Sequence, residues 1–238
     1  HLGEFISGAD GEAVLAIANS EEIVYSDVDK LGEYQHKFYY IQKHIDKILE
    51  LPLVNKKAIK ERNFKVVIDC VNSTGGISVP ELLVALGVTD VVELFTNPNG
   101  RFPHNPEPLP EHLGTIAHEV KHQKADVGLV VDPDVDRLAI VCENGDMFGE
   151  EYTLVSIADY VLKHTPGNVV SNLSSTQALR DVAVKHKVEH HQSAVGEVHV
   201  VSMMKEVNAI IGGEGNGGII LPELHYGRDA LVGIALSL

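Results

Sequence analysis

From residue 39 onward the apolar positions keep two rhythms that alternate along the chain. A period near 3.6 sets Ile41, Ile45, Ile48 and Leu49 on one face and predicts a helix that Leu51-Pro52 ends. Apolar runs at 64–70, 91–95, 127–131 and 138–142 predict strands, with helices over 80–86 and 113–122 between them. The order then repeats with a helix at 152–164, a strand at 168–171 and a helix at 176–186. It continues through 198–204 and 209–211 to 218–221 and an apolar helix at 230–238. This alternation predicts the α/β class: two consecutive α/β domains, each a mixed sheet flanked by helices. The turn Asn144-Gly145-Asp146 sets the boundary, giving domains at 33–147 and 148–238. Residues 10–18 have helical spacing through Ala13, Val14 and Ile17, and 21–32 are acidic and turn-rich. Residues 1–32 therefore read as the tail of a preceding domain or a linker. The two halves share only the order of their elements.

Charge narrows the function classes. A formal net charge of -15 argues against nucleic acid and anionic membranes as partners, since both need clustered Lys and Arg. Cys70 and Cys142 each lie in or beside an apolar run, which suits buried thiols in a reducing cytoplasm, and zinc-type cysteine spacing is absent. No apolar stretch is long enough to span a bilayer, and no signal peptide is visible. The chain opens at His1 and closes inside an apolar helical pattern, so it is expected to be a piece of a longer protein.

The densest chemistry lies between two strand-like runs, where Asp132, Asp134 and Asp136 alternate with Pro133 and Val135, and Arg137 follows. Three carboxylates this close repel unless something positive lies among them, so the turn is a candidate divalent-cation site. A calcium-binding helix-loop-helix pattern fails, because the sixth position requires Gly and holds Arg137. An aspartyl-phosphate phosphatase pattern is weak, because Leu138 stands where a β-branched residue is wanted. A hard, oxygen-only donor set suits Mg²⁺, which takes few protein ligands and completes its shell with water or phosphate.

With that loop the chain resembles the α-D-phosphohexomutases, whose second domain carries an Asp-Gly-Asp-Gly-Asp-Arg magnesium loop. Here the three Asp and the Arg stand in place, and Pro133 and Val135 replace the glycines. A second motif supports the likeness. Gly213-Glu214-Gly215-Asn216-Gly217-Gly218 lies between two strand-like runs, as does the family's Gly-Glu-x-Ser-Gly-His sugar loop. Val195-Gly196-Glu197 resembles a further third-domain stretch, with Val198 at the usual basic position and Gly218 at the usual His.

The resemblance implies Mg²⁺ held by Asp132, Asp134 and Asp136, with Arg137 supporting phosphoryl transfer. It implies Glu214 and Asn216 binding sugar hydroxyls. Arg228 is the candidate replacement for the missing Lys, with a surface ion pair to Asp229 as the alternative. The substrates implied are a hexose phosphate and a hexose bisphosphate, whose phosphate moves between C6 and C1 through a phosphoserine. The phosphoserine segment of the family's first domain does not occur here, and the fourth domain would lie past Leu238. The chain alone is therefore expected to be inactive. Alternatives are phosphoglucosamine mutase within the family and a non-catalytic sugar-phosphate-binding module. Ser73, the nearest stand-in for the nucleophile, reads instead as part of a turn capped by Ser or Thr. His186, His190 and His191 read as exposed side chains, and Met203 and Met204 as core.

Overall fold

The computed structural model describes residues 6–20 and 23–238 and falls into two compact units, 1–40 and 41–238. In the first unit Gly8–Ala18 forms helix α1. Ser7 and Asp10 open it with a reciprocal capping box. α1 buries none of its residues, and a single 3-10 turn follows at Val28–Lys30. Part of the sequence reading for 1–32 falls on 1–5 and 21–22, outside the described residues.

The second unit carries two four-stranded sheets. The first is built from β1 (Lys65–Asp69), β2 (Asp90–Leu94), β3 (Val127–Val131) and β4 (Leu138–Cys142), in the order β2-β1-β3-β4. Helices α2 (Tyr40–Glu50), α3 (Lys56–Arg62), α4 (Gly75–Leu86) and α5 (Gly114–Gln123) accompany it. The second is built from β5 (Val169–Asn172), β6 (His190–Ser193), β7 (Ile211–Glu214) and β8 (Gly218–Ile220), in the order β6-β5-β7-β8. Its helices are α6 (Glu150–His164), α7 (Ala178–His186), α8 (Glu197–Glu206) and α9 (Ala230–Ser237). Three strands of each sheet run parallel and the fourth is antiparallel, with Val66 opposite Val127 and Val169 opposite Ile211. Both sheets are mixed, as the sequence predicts, and they repeat one strand order without a repeated sequence. In each, successive crossovers leave the first strand toward opposite sides. This makes a switch point at the carboxyl ends of β1 and β3, and another at those of β5 and β7.

One core joins the sheets. Ile68, Leu129 and Leu138 pack in the same cluster as Ile219 and the α9 residues, and α9 is buried from Ala230 to Leu236. A helix apolar on every side belongs inside a protein, which accounts for its lack of amphipathic pattern.

Several expectations change. α4 begins at Gly75 and carries Pro80 inside it, where the sequence pattern starts a helix at Pro80. Gly75 and Gly76 serve close packing: a Cβ on Gly76 would collide with the Thr96 carbonyl, and one on Gly75 would lie 2.5 Å from Val131. β7 runs on through Gly212 and Gly213 to Glu214, so the glycine loop is only Gly215-Asn216-Gly217. A Cβ at Gly212 would lie 2.6 Å from Met204 Sδ, so the glycine permits close approach of α8. α3 and β6 escape the apolar pattern. α3 buries only Ile59, and β6 is an edge strand of sequence His-His-Gln-Ser. The histidines read as exposed are partly buried: His186 lies 2.7 Å from Asp159, and Ser171 Oγ meets His190 Nε2 at 2.9 Å. Met204 is core and Met203 flanks it; Cys70 is buried and Cys142 only partly so. No described helix is long and apolar enough to cross a membrane.

Candidate active site

The acidic loop leaves β3 at the first switch point, and its shape is set by Asp132. That carboxylate is buried, its Oδ1 accepting from the backbone N–H groups of Asp136 (3.0 Å) and Arg137 (3.1 Å). Its Oδ2 accepts from Arg137 Nε at 2.7 Å. The turn closes through Val135, a β-branched residue at φ 63°, a conformation natural to the glycine it replaces. Val135 is held there from two sides, because its side chain packs on the core and its carbonyl accepts from Ala230 N at 3.0 Å. Ser73 Oγ and Thr74 Oγ1 both donate to the Pro133 carbonyl, at 2.8 and 2.6 Å. This corrects their reading as caps: Thr74 stands at the N-cap of α4 without a side-chain capping bond, since both hydroxyls are drawn to the loop across the switch point.

Asp134 is exposed and Asp136 half-buried. The Asp136 carboxyl is pushed up to about 7, first by burial and then by its hydrogen bond to Asp132 and that neighbour's charge. One oxygen from each of Asp132, Asp134 and Asp136 lies within 4.8 Å of the others. The donors are hard and converge, and one resists ionisation because burial and the neighbouring Asp132 outweigh the nearby Arg228. These residues fit Mg²⁺.

At the second switch point Asn172 and Glu214 meet. Glu214 is buried and its Oε1 accepts from Asn172 Nδ2 (2.8 Å) and Gly196 N (3.2 Å). Asn172 is oriented in turn by Ser174 and Ser175, whose hydroxyls donate to its Oδ1 at 3.1 and 2.6 Å. Asn216 shapes the loop, its Oδ1 accepting from Gly218 N at 3.2 Å.

Arg228 ties the two points together. Its Nη1 donates to Glu214 Oε2 at 2.7 Å, Nη2 donates to Asp136 Oδ2, and Nε lies 3.0 Å from Glu197 Oε2. Glu197 also accepts from Arg228 N at 2.8 Å. A surface pair with Asp229 is therefore overturned: Asp229 caps α9, and Arg228 points the other way, among three carboxylates from three segments. A histidine at 218, the usual residue of the resembled loop, would have no room, because a Cβ on Gly218 would collide with Arg228 Cδ. Val198, at the usual basic position, is exposed on α8. Backbone bonds lock the loops as well. Leu138 N donates to Gly217 O at 3.1 Å, and Arg137 bridges to Gly218. The space between them is a cleft of about 240 Å³ that Arg137, Glu151, Asn172, Glu214 and Asn216 help to line.

All seven predicted residues thus lie around one junction. Sequence reasoning missed Asn172, Glu197 and the Ser73–Thr74 hydroxyls as contributors. The signal for Asn172 is positional, a polar residue ending an apolar strand, and ligand sites gather at the carboxyl ends of parallel strands.

Known proteins share the two domains that carry this junction. Residues 42–145 match the family profile described as phosphoglucomutase/phosphomannomutase, alpha/beta/alpha domain II, and residues 149–238 match domain III. A phosphoglucomutase/phosphomannomutase of Thermococcus kodakarensis is 35% identical over 212 residues, 88% of this chain and 46% of that protein. A phosphoglucosamine mutase of a Sulfurovum species is 32% identical over 221 residues, 88% of this chain and 49% of its own length. A solved phosphoglucomutase/phosphomannomutase family protein from Burkholderia thailandensis superimposes with a TM-score of 0.72 at 28% identity. It covers 82% of this chain and 42% of that one. The chain spans about half the length of these relatives. It belongs to the phosphoglucomutase/phosphomannomutase family and carries that family's second and third domains.

Proposed function

We propose that the protein to which this chain belongs is a magnesium-dependent phosphohexomutase, moving phosphate between C6 and C1 of a hexose by way of a bisphosphate. The observation that carries this reading is the Arg228 guanidinium, bonded at once to Asp136 of the acidic loop and Glu214 of the glycine loop. One shared cleft can thus present a cation site and hydroxyl acceptors to the same small molecule.

Asp132, Asp134 and Asp136 would hold Mg²⁺, which supplies charge neutralisation for a transferring phosphoryl group. Arg137, fixed by Asp132 at Nε and meeting Glu107 at Nη1, would offer Nη2 toward the same oxygens. Glu214 and Asn216 accept and donate to sugar hydroxyls, and Asn172 and Gly196 keep the Glu214 carboxylate aimed. Arg228 chiefly positions carboxylates, since its charge is balanced by Asp136, Glu197 and Glu214. With Asp136 engaged by the cation, an edge of that guanidinium becomes available to a substrate oxygen. The nucleophilic serine and the distal phosphate contacts are assigned to the first and fourth domains of the same protein.

Glucose, mannose and glucosamine phosphates are the substrates to assay with the full-length protein, and turnover of at least one is expected. Failure to turn over any of them overturns the proposal. For the chain itself, calorimetry should show Mg²⁺ binding that Asp134→Ala abolishes; equal binding by both proteins would remove the metal assignment.

A further inference from the structure

Away from that cleft, a second group of ligating atoms converges where the chain turns into α9. His44 on α2 and His225, four residues before Asp229, both direct Nε2 at one oxygen, Asp229 Oδ2, at 2.7 and 3.1 Å. The other oxygen, Oδ1, caps α9 by accepting from Leu231 N (2.8 Å) and Val232 N (3.2 Å). Capping therefore needs only Oδ1, and the carboxylate is held rigidly with Oδ2 turned to the imidazoles. The ligand atoms of all three residues lie within 4.8 Å of one another. Asp229 is buried, whereas the imidazoles face a cleft of about 360 Å³ that Glu50 and Glu223 also line.

We infer that His44, His225 and Asp229 form a transition-metal site, taking Zn²⁺ as its simplest occupant. Two imidazole nitrogens and one carboxylate oxygen are a borderline-soft donor set that suits Zn²⁺ and disfavours Mg²⁺. The count of three protein ligands, with a cleft on the open side for water or a further carboxylate, matches an accessible zinc site. Bonds of about 2.0–2.1 Å to each ligand would spread the nitrogens and Oδ2 a few tenths of an ångström from their present spacing. Each imidazole frees Nε2 on binding: a neutral ring that carries its hydrogen there shifts that proton to Nδ1 through solvent, and an imidazolium keeps its Nδ1 proton and releases the other to solvent. Because His44 lies within residues 42–145 and the other two within 149–238, the ion would staple domain II to domain III.

The test is Zn²⁺ calorimetry on the metal-stripped 238-residue chain in excess Mg²⁺, which occupies the acidic loop. The wild type is compared with the double variant His44→Gln, His225→Gln. Gln keeps an N–H for Asp229 and is a poor zinc ligand, so folding is preserved while the site is lost, as circular dichroism will verify. The wild type should bind one Zn²⁺ and the double variant should bind about 100-fold more weakly. Equal affinity in the two proteins overturns the site. Equal affinity with a pH-dependent difference in melting would make the cluster a charge latch instead. Should the double variant fail to fold, Co²⁺ added to the wild type decides. Intense visible bands of a four- or five-coordinate ion support the site, and the faint spectrum of a six-coordinate ion overturns it.

Discussion

Asp132 and Asp229 are built alike and put to different uses. Each is buried, and each spends one carboxylate oxygen on two backbone N–H groups of the segment that follows it. They differ in what the second oxygen meets. Asp132 faces the guanidinium of Arg137, a permanent charge, and sits beside two more carboxylates. Asp229 faces two imidazoles, whose charge depends on pH. Electrostatics registers the contrast. In the acidic loop Asp136 is driven upward to about 7 by burial and by Asp132. Burial pushes Asp229 up as well, but the hydrogen bonds from His225 and His44 outweigh it and hold that carboxyl below the usual range. The first arrangement stores unmatched negative charge, which a hard cation can relieve. The second has matched its charge already, using groups that prefer softer metals.

The largest expected effect is at Asp132. Its replacement by Ala would leave two N–H groups without an acceptor and take from the partly buried Arg137 guanidinium its shortest bond, costing about 3 kcal/mol in urea unfolding at pH 6. The same variant should let Asp136 titrate below about 7, read by carboxyl NMR, and an unshifted Asp136 would break the comparison. Asp229→Ala should cost about 2 kcal/mol at pH 6 and less at pH 8.5. The sign follows from His44, whose hydrogen bond to Asp229 raises its pKa against the opposing effect of burial. A raised pKa contributes stability in full below the unfolded value of about 6.5, and that stability fades as pH climbs through the folded value. Next comes Gly218→Ala, which should displace Arg228 and cost about 1–2 kcal/mol by overpacking, read as a lowered melting temperature. Unchanged melting would mean that Arg228 is free to leave its three carboxylates. The smallest effect has the opposite sign. Val135→Gly relieves the left-handed backbone but loses side-chain burial, for a net stabilisation of at most about 1 kcal/mol, with Mg²⁺ affinity retained.

Much of this was legible beforehand because it rests on local patterns. Three aspartates at alternate positions and a glycine-rich loop announce themselves, and apolar runs mark strands such as Val127–Val131. What escaped depends on contacts between distant segments. Nothing local to Arg228 says that it crosses Gly218 to reach Asp136, 92 residues earlier. Nor does Ser73 reveal that its hydroxyl will choose the Pro133 carbonyl over the start of α4. The strand His190–Ser193 was hidden because an edge strand needs few apolar residues when its partner supplies the core. The shared strand order of the two sheets likewise leaves no trace in the sequence.

The bond from Leu138 N to Gly217 O has a meaning in time as well as in space. That amide can exchange with solvent only when this bond opens, so its deuteration rate is a clock for the parting of the two loops at the junction. If the loops were independent, it would exchange as fast as a surface turn. Tethered as they are, acidic loop and glycine loop should open in a single event. The two loops would then keep one spacing for as long as the second unit stays folded.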